Sequence, residues 1–192
     1  PLSVFNLVKA GEEAGLPEGV VNPVTGDGRN VGNRIVEHPD VRVISFTGSS
    51  DVGRRLGEQC GRTLKRVSLE LGGKNAQIVM DDADLELALE GVLWGAFGTT
   101  GQRCTATSRL ILHKPIKKKF VEMLAERVKS LKLGNGLDES VQVGPCVSKP
   151  QRESVHGYVE IGKNEDRARL VCGGELYTKG ECEKVWFYAP TI

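Results

Sequence analysis

Apolar segments of strand length alternate with segments of helix length along the chain, and this alternation restricts the folds open to it. The segment "VRVISFTGS" at 41–49 is followed by "SDVGRRLGEQCG" at 50–61, and "RVSLELGG" at 66–73 predicts the next strand. Strands joined by helices pair in parallel, because the helix carries the chain back to the same end of the sheet. We therefore predict an α/β fold with parallel strands.

The remaining elements are predicted from periodicity and turn residues. In the segment 116–134, one amphipathic stripe is formed by Phe120, Leu124, Val128 and Leu131. Asp82 is predicted to cap the helix that follows it. Further helices are predicted at 3–15, 28–38, 82–98 and 151–164, and further strands at 19–26, 75–80, 108–113 and 167–174, with a strand-like pattern in the final "WFYAPTI".

Charge and cysteine usage exclude several classes of function. The 26 basic and 25 acidic residues nearly balance, so no electrostatic argument favours nucleic acid or a membrane surface. No apolar run reaches the length of a transmembrane helix, and the first residues lack the pattern of a signal peptide. The five cysteines have irregular gaps without zinc-type spacing, which predicts no metal site and a reducing, cytoplasmic compartment.

Two glycine-bearing segments lie where a predicted strand passes into a predicted helix. In "TGDGRNVG" the glycines are Gly26, Gly28 and Gly32, and the last interval is one residue longer than in the dinucleotide fingerprint. In "FTGSSDVG" the turn contains Gly48 and Ser49. Both segments could hold a phosphate at a helix N-terminus. The first could equally be an ordinary tight turn, and in the second a serine could merely cap the helix.

Cys104 lies in "TTGQRCTATSR", among small and hydroxylated residues. It has no CxxC partner and no neighbouring histidine. From these residues alone it could be a buried spacer, a metal ligand, half of a disulfide or a nucleophile.

The segments "FTGSSDVG", "LELGGKNA" and "GQRCTATSR", in this order and at this spacing, resemble the NAD(P)-dependent aldehyde dehydrogenase superfamily. "GVVNPVTGDG" before them and "VGPCVS" after them also resemble family segments, so the likeness covers essentially the whole chain. The amino-acid sequence around Cys104 is most similar to that of the semialdehyde-oxidising branches of the family.

The resemblance implies two catalytic residues. Cys104 matches the nucleophile of the family's G-Q-x-C motif, and Glu70 matches the general base of L-E-L-G-G. The implied reaction oxidises an aldehyde to the carboxylic acid through a cysteine thiohemiacetal and a thioester. A thiolate is suited to the first step, and a carboxylate can activate the water that hydrolyses the thioester.

The resemblance also implies the cofactor, NAD or NADP, and residues that contact it. Gly48 and Ser49 match the turn at the pyrophosphate, with Val52 in the helix behind that turn. Gly28 matches a position near the adenine. The expected fold is a parallel Rossmann-like cofactor-binding half-domain, residues 1–70, followed by an α/β catalytic half-domain, residues 71–192.

Family chains are much longer, and this one matches roughly their middle two-fifths. The second oxyanion donor and much of the cofactor pocket belong to segments outside this match, so we expect the 192-residue chain alone to be inactive. The full-length protein is expected to be a homo-oligomer acting on a small aldehyde, cytoplasmic, or mitochondrial if a transit peptide precedes this segment. The alternatives are a coenzyme A-acylating aldehyde dehydrogenase and a non-catalytic truncated relative.

Overall fold

The structure is a computed structural model that describes residues 2–192. The chain forms two compact units, the first ending at Leu71 and the second spanning Gly72–Ile192. Six α-helices and four strands are named here in chain order. They are α1 Leu2–Glu13, α2 Asn33–Glu37, β1 Val43–Gly48, α3 Ser50–Arg62, β2 Arg66–Leu71, β3 Asn75–Val79, α4 Leu85–Phe97, β4 Thr107–Leu112, α5 Lys117–Lys129 and α6 Lys149–Asn164.

In the first unit, β1 and β2 pair in parallel, from Val43 opposite Arg66 to Gly48 opposite Leu71. Helix α3 connects the two strands and packs on them, as the alternation of the sequence predicts. A small core forms between these elements and α2, and it consists of Val36, Ile44, Leu56 and Cys60.

In the second unit, β3 and β4 also pair in parallel, with an irregularity in register between Asn75 and Ala76. Helix α4 connects them, and α5 packs against α4. Phe120 is fully buried in the larger core of the molecule, because the apolar stripe of α5 faces α4. The buried members of this core are Val79, Leu89, Val92, Leu93, Phe120, Leu124 and Val128. The α/β fold with parallel strands is thus confirmed, in the form of two small sheets.

One predicted element of the first unit is wrong, and a second has a different helix type over part of its length. Residues 19–26 form no strand, because Gly19 has a φ of 80° and Pro23 lacks the N–H that a ladder needs. The predicted helix at 28–38 is helical over residues 28–37, but it is not α-helical throughout. Its first part is a π-helical turn, Gly28–Gly32, and only the part from Asn33 onward is α-helical.

Three predictions in the second unit also need correction. Residues 167–174 form no strand, because Arg167, Gly173 and Gly174 all have positive φ values. The final segment is not a regular strand either and forms an isolated bridge, Leu176 opposite Tyr188. The cap of α4 is Asp84 rather than Asp82, and its carboxylate accepts hydrogen bonds from the N–H groups of the first turn.

No helix within residues 2–192 combines the length and the apolar character needed to cross a lipid bilayer.

Candidate active site

The first glycine turn is capped by a carboxylate. Asp27 precedes the π-helical turn and accepts hydrogen bonds from the backbone N–H of Asn30, at 2.7 Å, and from its side-chain amide, at 2.8 Å. These bonds from Asn30 lower the pKa of Asp27, so the carboxylate is ionised at neutral pH. A negative charge already occupies this N-terminus, and the geometry therefore disfavours the phosphate interpretation of "TGDGRNVG".

A largely apolar cavity of about 370 Å³ lies within the first unit and brings together two of the predicted cofactor residues, Gly28 and Val52. The ring of Phe46 forms part of its wall, with side chains from α2, β1 and α3. The volume is in the usual range for small-ligand sites. The lining residues are Gly28, Gly32, Asn33, Ile35, Val36, Val43, Ile44, Ser45, Phe46, Val52 and Leu56.

The second glycine turn joins β1 to α3. Ser49 is the N-cap, and its hydroxyl accepts a hydrogen bond of 3.3 Å from the N–H of Val52. Gly48 ends β1, and a Cβ there would approach the ring of Phe46 to 2.4 Å. A side chain at Gly48 would therefore displace a wall of the cavity. The capping interpretation of Ser49 is what the structure shows, and the cap leaves the N–H groups of Ser50 and Asp51 unpaired within residues 2–192.

Glu70 is placed at the end of β2, opposite Thr47 and one position before the pair of Gly48 and Leu71. Its side chain is exposed and makes no salt bridge within residues 2–192. The carboxylate is therefore open to solvent. Glu70 lies beside the second glycine turn because both are at the carboxyl end of the same parallel pair, where ligands bind in open α/β sheets.

Cys104 belongs to the second unit and is exposed on a tight turn just before β4. The N–H of Ala106 donates to the carbonyl of Arg103 at 3.1 Å, which closes a turn with Cys104 as its second residue. The N–H of Cys104 has no protein acceptor in the described part of the chain. The turn thus presents a thiol and an unpaired N–H from the same residue.

The segment before Cys104 is fixed by side chains that reach distant backbone. Gln102 accepts a hydrogen bond of 2.9 Å from the N–H of Val147 and donates one of 3.3 Å to the carbonyl of Pro145. Thr100 donates through its hydroxyl to the carbonyl of Gly144, at 3.0 Å. Three hydrogen bonds therefore connect this segment to residues 144–147.

The backbone leading into this turn is left-handed at three successive residues, with φ values of 54° at Thr99, 58° at Thr100 and 65° at Gly101. A side chain at Gly101 would lie 2.8 Å from the carbonyl oxygen of Ala96, so glycine is required there. The two threonines are β-branched and adopt this region only under the constraint of surrounding contacts.

The other four thiols differ from Cys104 in exposure. All five cysteines are free, so no disulfide involves Cys104. Burial raises the pKa of the Cys146, Cys172 and Cys182 thiols, and Cys60 is fully buried. No group of three potential metal ligands occurs within residues 2–192. An exposed thiol on a fixed turn is compatible with the nucleophile interpretation of Cys104.

The candidate residues are divided between the two units. Gly28, Gly48, Ser49, Val52 and Glu70 lie in the first, and Cys104 lies in the second. The sequence analysis missed the side chains that anchor the Cys104 segment. Gln102 lies inside the quoted motif, and its position two residues before the cysteine is the only sequence signal that could have suggested a role.

The comparison with protein families identifies the class to which this chain belongs. The model of the aldehyde dehydrogenase family matches residues 1–192, and the chain belongs to that family.

Among its relatives, the betaine aldehyde dehydrogenase of Brucella anthropi is 44% identical over the whole chain, which covers 39% of that protein. The phenylacetaldehyde dehydrogenase of Pseudomonas fluorescens is 45% identical, and the match covers 100% of this chain and 38% of that protein. The alpha-ketoglutaric semialdehyde dehydrogenase of Bacillus subtilis is 45% identical, and the match covers 97% of this chain and 38% of that protein. The chain thus spans about two-fifths of the length of these relatives.

Among solved structures, the betaine aldehyde dehydrogenase of Staphylococcus aureus in complex with NAD+ matches with a TM-score of 0.93 at 35% identity, covering 98% of this chain and 37% of that one. An apo structure of a point mutant of the same enzyme matches with a TM-score of 0.94 at 36% identity, covering 100% and 38%.

Proposed function

We propose that this chain carries the nucleophile and the general base of an NAD(P)-dependent aldehyde dehydrogenase that forms a carboxylic acid. The observation that supports this most directly is the turn at Cys104, where an exposed thiol and an unpaired backbone N–H belong to one residue. Family membership supplies the reaction class, and the turn supplies a nucleophile and a donor for the charge that develops on the aldehyde oxygen.

In this mechanism the Cys104 thiolate adds to the carbonyl carbon and forms a C–S bond, while the N–H of Cys104 donates to the resulting oxyanion. The cofactor, NAD(P)+, accepts the hydride from that carbon, which leaves a thioester on Cys104. Glu70 takes a proton from water as the water attacks the thioester. Cleavage of the C–S bond then releases the acid and returns the thiolate.

The residues of the first unit fit a dinucleotide. The apolar cavity at Gly28 and Val52 suits a flat, largely apolar base, and the unpaired N–H groups at the start of α3 suit a phosphate. In this assignment the adenine binds in the cavity and the pyrophosphate beside Gly48 and Ser49. The relative from Staphylococcus aureus, crystallised with NAD+, supports the same class of cofactor.

The substrate class proposed is an aldehyde, with no narrower choice. The relatives include enzymes named for betaine aldehyde, phenylacetaldehyde and a semialdehyde at nearly equal identity. Their names therefore do not select among these substrates for this chain.

The decisive experiment measures reduced-nicotinamide absorbance for the full-length protein with aldehyde and NAD(P)+. We expect Cys104→Ala to lower turnover by about 10⁴-fold or more, because an alanine methyl group cannot form the thioester. Cys172→Ala, at a half-buried thiol, is the matched control and should keep its rate. Turnover by Cys104→Ala at the wild-type rate would refute the proposal. The isolated 192-residue chain is a second arm, in which we expect no turnover.

The role of Glu70 is tested by Glu70→Gln, which keeps the shape of the side chain but cannot accept the proton. We expect hydrolysis of the thioester to slow by about 10²–10⁴-fold, so that acylated protein accumulates and is detected by mass spectrometry. Product analysis in the presence of coenzyme A separates the hydrolytic from the acylating reaction. Acyl-coenzyme A as the main product would contradict Glu70 as the base for water.

A further inference from the structure

Asn75, the first residue of β3, contacts the backbone of the Cys104 turn directly. Its side-chain nitrogen donates to the carbonyl of Cys104 at 2.7 Å and to the carbonyl of Ala106 at 3.1 Å. A carboxamide nitrogen has two N–H groups, so both of its hydrogen bonds can be made at once. Ala106 is buried, and its carbonyl is therefore satisfied by protein rather than by bulk water.

The position of Asn75 depends on the irregular register of the sheet. Asn75 lies opposite Thr107, whereas the next residue, Ala76, lies opposite Arg109. This shift places Asn75 at the point where the turn enters β4, and its side chain reaches the turn.

The two carbonyls that Asn75 joins belong to the second and the fourth residue of the turn. The N–H of Ala106 already closes the turn on the carbonyl of Arg103. Asn75 adds a second restraint, on the peptide unit that follows Cys104, and so limits rotation about the backbone of Cys104. Without a donor between them, the oxygens of Cys104 and Ala106 would repel each other and lose their pairing.

We propose that Asn75 is a positioning residue for the nucleophile. It fixes the peptide unit after Cys104, while the N–H of Ala106 holds the unit before it, and the two restraints together set the directions in which the Cys104 thiol and N–H point. It acts through the backbone of Cys104 and does not itself touch the aldehyde. This inference rests on the proposed role of Cys104 and adds to it the side chain that holds the turn in its reactive shape.

The first test is hydrogen exchange of the isolated chain with the variant Asn75→Leu. We expect the Ala106 N–H to exchange about five- to tenfold faster than in the wild type, because two restraining hydrogen bonds are lost. Gln77→Leu is the matched control. Gln77 lies two residues further along β3 and connects to β4 through Thr107, 3.2 Å away, without contacting the turn. Equal acceleration in both variants would overturn the inference.

The second test is turnover of the full-length protein. We expect Asn75→Leu to lower kcat/KM for the aldehyde by about ten- to a hundredfold, with the KM for NAD(P)+ within about twofold of the wild type. Loss of structure alone would instead raise the labelling of the buried Cys60 and Cys146 thiols. Faster exchange with unchanged kcat/KM would overturn the inference, because the turn would then not need to be held.

The variant Asn75→Ser covers the case in which Asn75→Leu does not fold. The serine hydroxyl is a shorter side chain with a single donor. Asn75→Ser should therefore give an exchange rate and a kcat/KM between those of the wild type and those expected for Asn75→Leu. Wild-type values for Asn75→Ser in both measurements, with Asn75→Leu unfolded, would assign Asn75 to folding only. If Cys104→Ala keeps its turnover, the proposed function fails whatever the exchange rates are.

Discussion

The two units of the chain hold their candidate residues in different ways. At the two glycine turns of the first unit the side-chain bonds are local, since Ser49 pairs with Val52 and Asp27 with Asn30, each three residues further on. In the second unit the bonds are distant, since the carbonyl of Cys104 is held by a side chain 29 residues earlier. Gln102 likewise reaches backbone 43 and 45 residues further on.

This difference has a consequence for stability. A helix cap forms whenever its own short segment adopts the helix, whereas the Cys104 turn keeps its shape only when β3 and residues 144–147 are in place. Changes to the core of the second unit should therefore disturb the turn at Cys104. Changes to the turn at Ser49 should remain local.

The largest effect is expected at Phe120, which is fully buried in the core of the second unit. Phe120→Ala should destabilise that unit by about 3–5 kcal/mol, because a cavity replaces the ring. The Ala106 N–H should then exchange faster. Urea unfolding and hydrogen exchange measure the two effects. Ile111→Ala, at a half-exposed side chain of β4, is the control and should cost less than about 1.5 kcal/mol. If the Ala106 N–H exchanged at the wild-type rate in Phe120→Ala, the shape of the Cys104 turn would not depend on the core of the second unit.

The second effect is a pH dependence in the second unit. Burial raises the pKa of Tyr188 to about 12, and the nearby carboxylates Glu160 and Glu175 add to the shift. The neutral phenol is thus favoured in the folded state. Its stabilising contribution is complete below the ordinary pKa of about 10 and is lost as the pH rises through the folded value.

The expected difference is about 2–3 kcal/mol between the stability of the wild type below pH 10 and above pH 12. The variant Tyr188→Phe should lack this part of the pH dependence, because it has no phenol to ionise. Denaturant unfolding at a series of alkaline pH values provides the measurement. Tyr158→Phe, at an exposed ring, serves as control and should keep the wild-type slope. A Tyr188→Phe slope equal to that of the wild type would disprove the assignment.

The smallest effect is expected at the cap of α3. Ser49→Ala should destabilise the first unit by about 1 kcal/mol, because the N–H of Val52 loses its acceptor. Ser50→Ala removes a neighbouring hydroxyl that makes no hydrogen bond within residues 2–192 and should be close to neutral. Unfolding followed at Cys60, which is fully buried in this unit, reports the change. Faster exchange at Ala106 in Ser49→Ala would show that the cap is not local.

Much of the fold could be predicted because it depends on local patterns. The strands at 43–48 and 66–71, with the helix between them, follow from apolar runs, a serine cap and the parallel pairing that a connecting helix imposes. The helix of Phe120, Leu124 and Val128 follows from its stripe, and all three side chains are buried. Glu70 and Cys104 were recognised from motifs rather than from any contact that the sequence displays.

The rest could not be predicted because it depends on contacts between distant residues or on backbone dihedral angles. The apolar run at 19–26 reads as a strand, but Gly19 and Pro23 prevent a ladder from forming. Asn75 is an unremarkable residue after a glycine pair, and only the irregular register of β3 and β4 brings it to the turn. A pattern of residue types contains no signal for such a contact.

The left-handed threonines before Cys104 indicate where this protein could be made more robust by design. A non-glycine residue in the left-handed region costs on the order of 1–3 kcal/mol. Thr99 and Thr100 therefore lower the free energy of unfolding while they direct the chain into the turn. The hydroxyl of Thr100 offsets part of this cost through its hydrogen bond to Gly144, whereas the side chain of Thr99 is exposed and has no such partner in the described part of the chain. To raise the stability of this protein, Thr99 would therefore be replaced with glycine or asparagine, and Thr100 would be left unchanged.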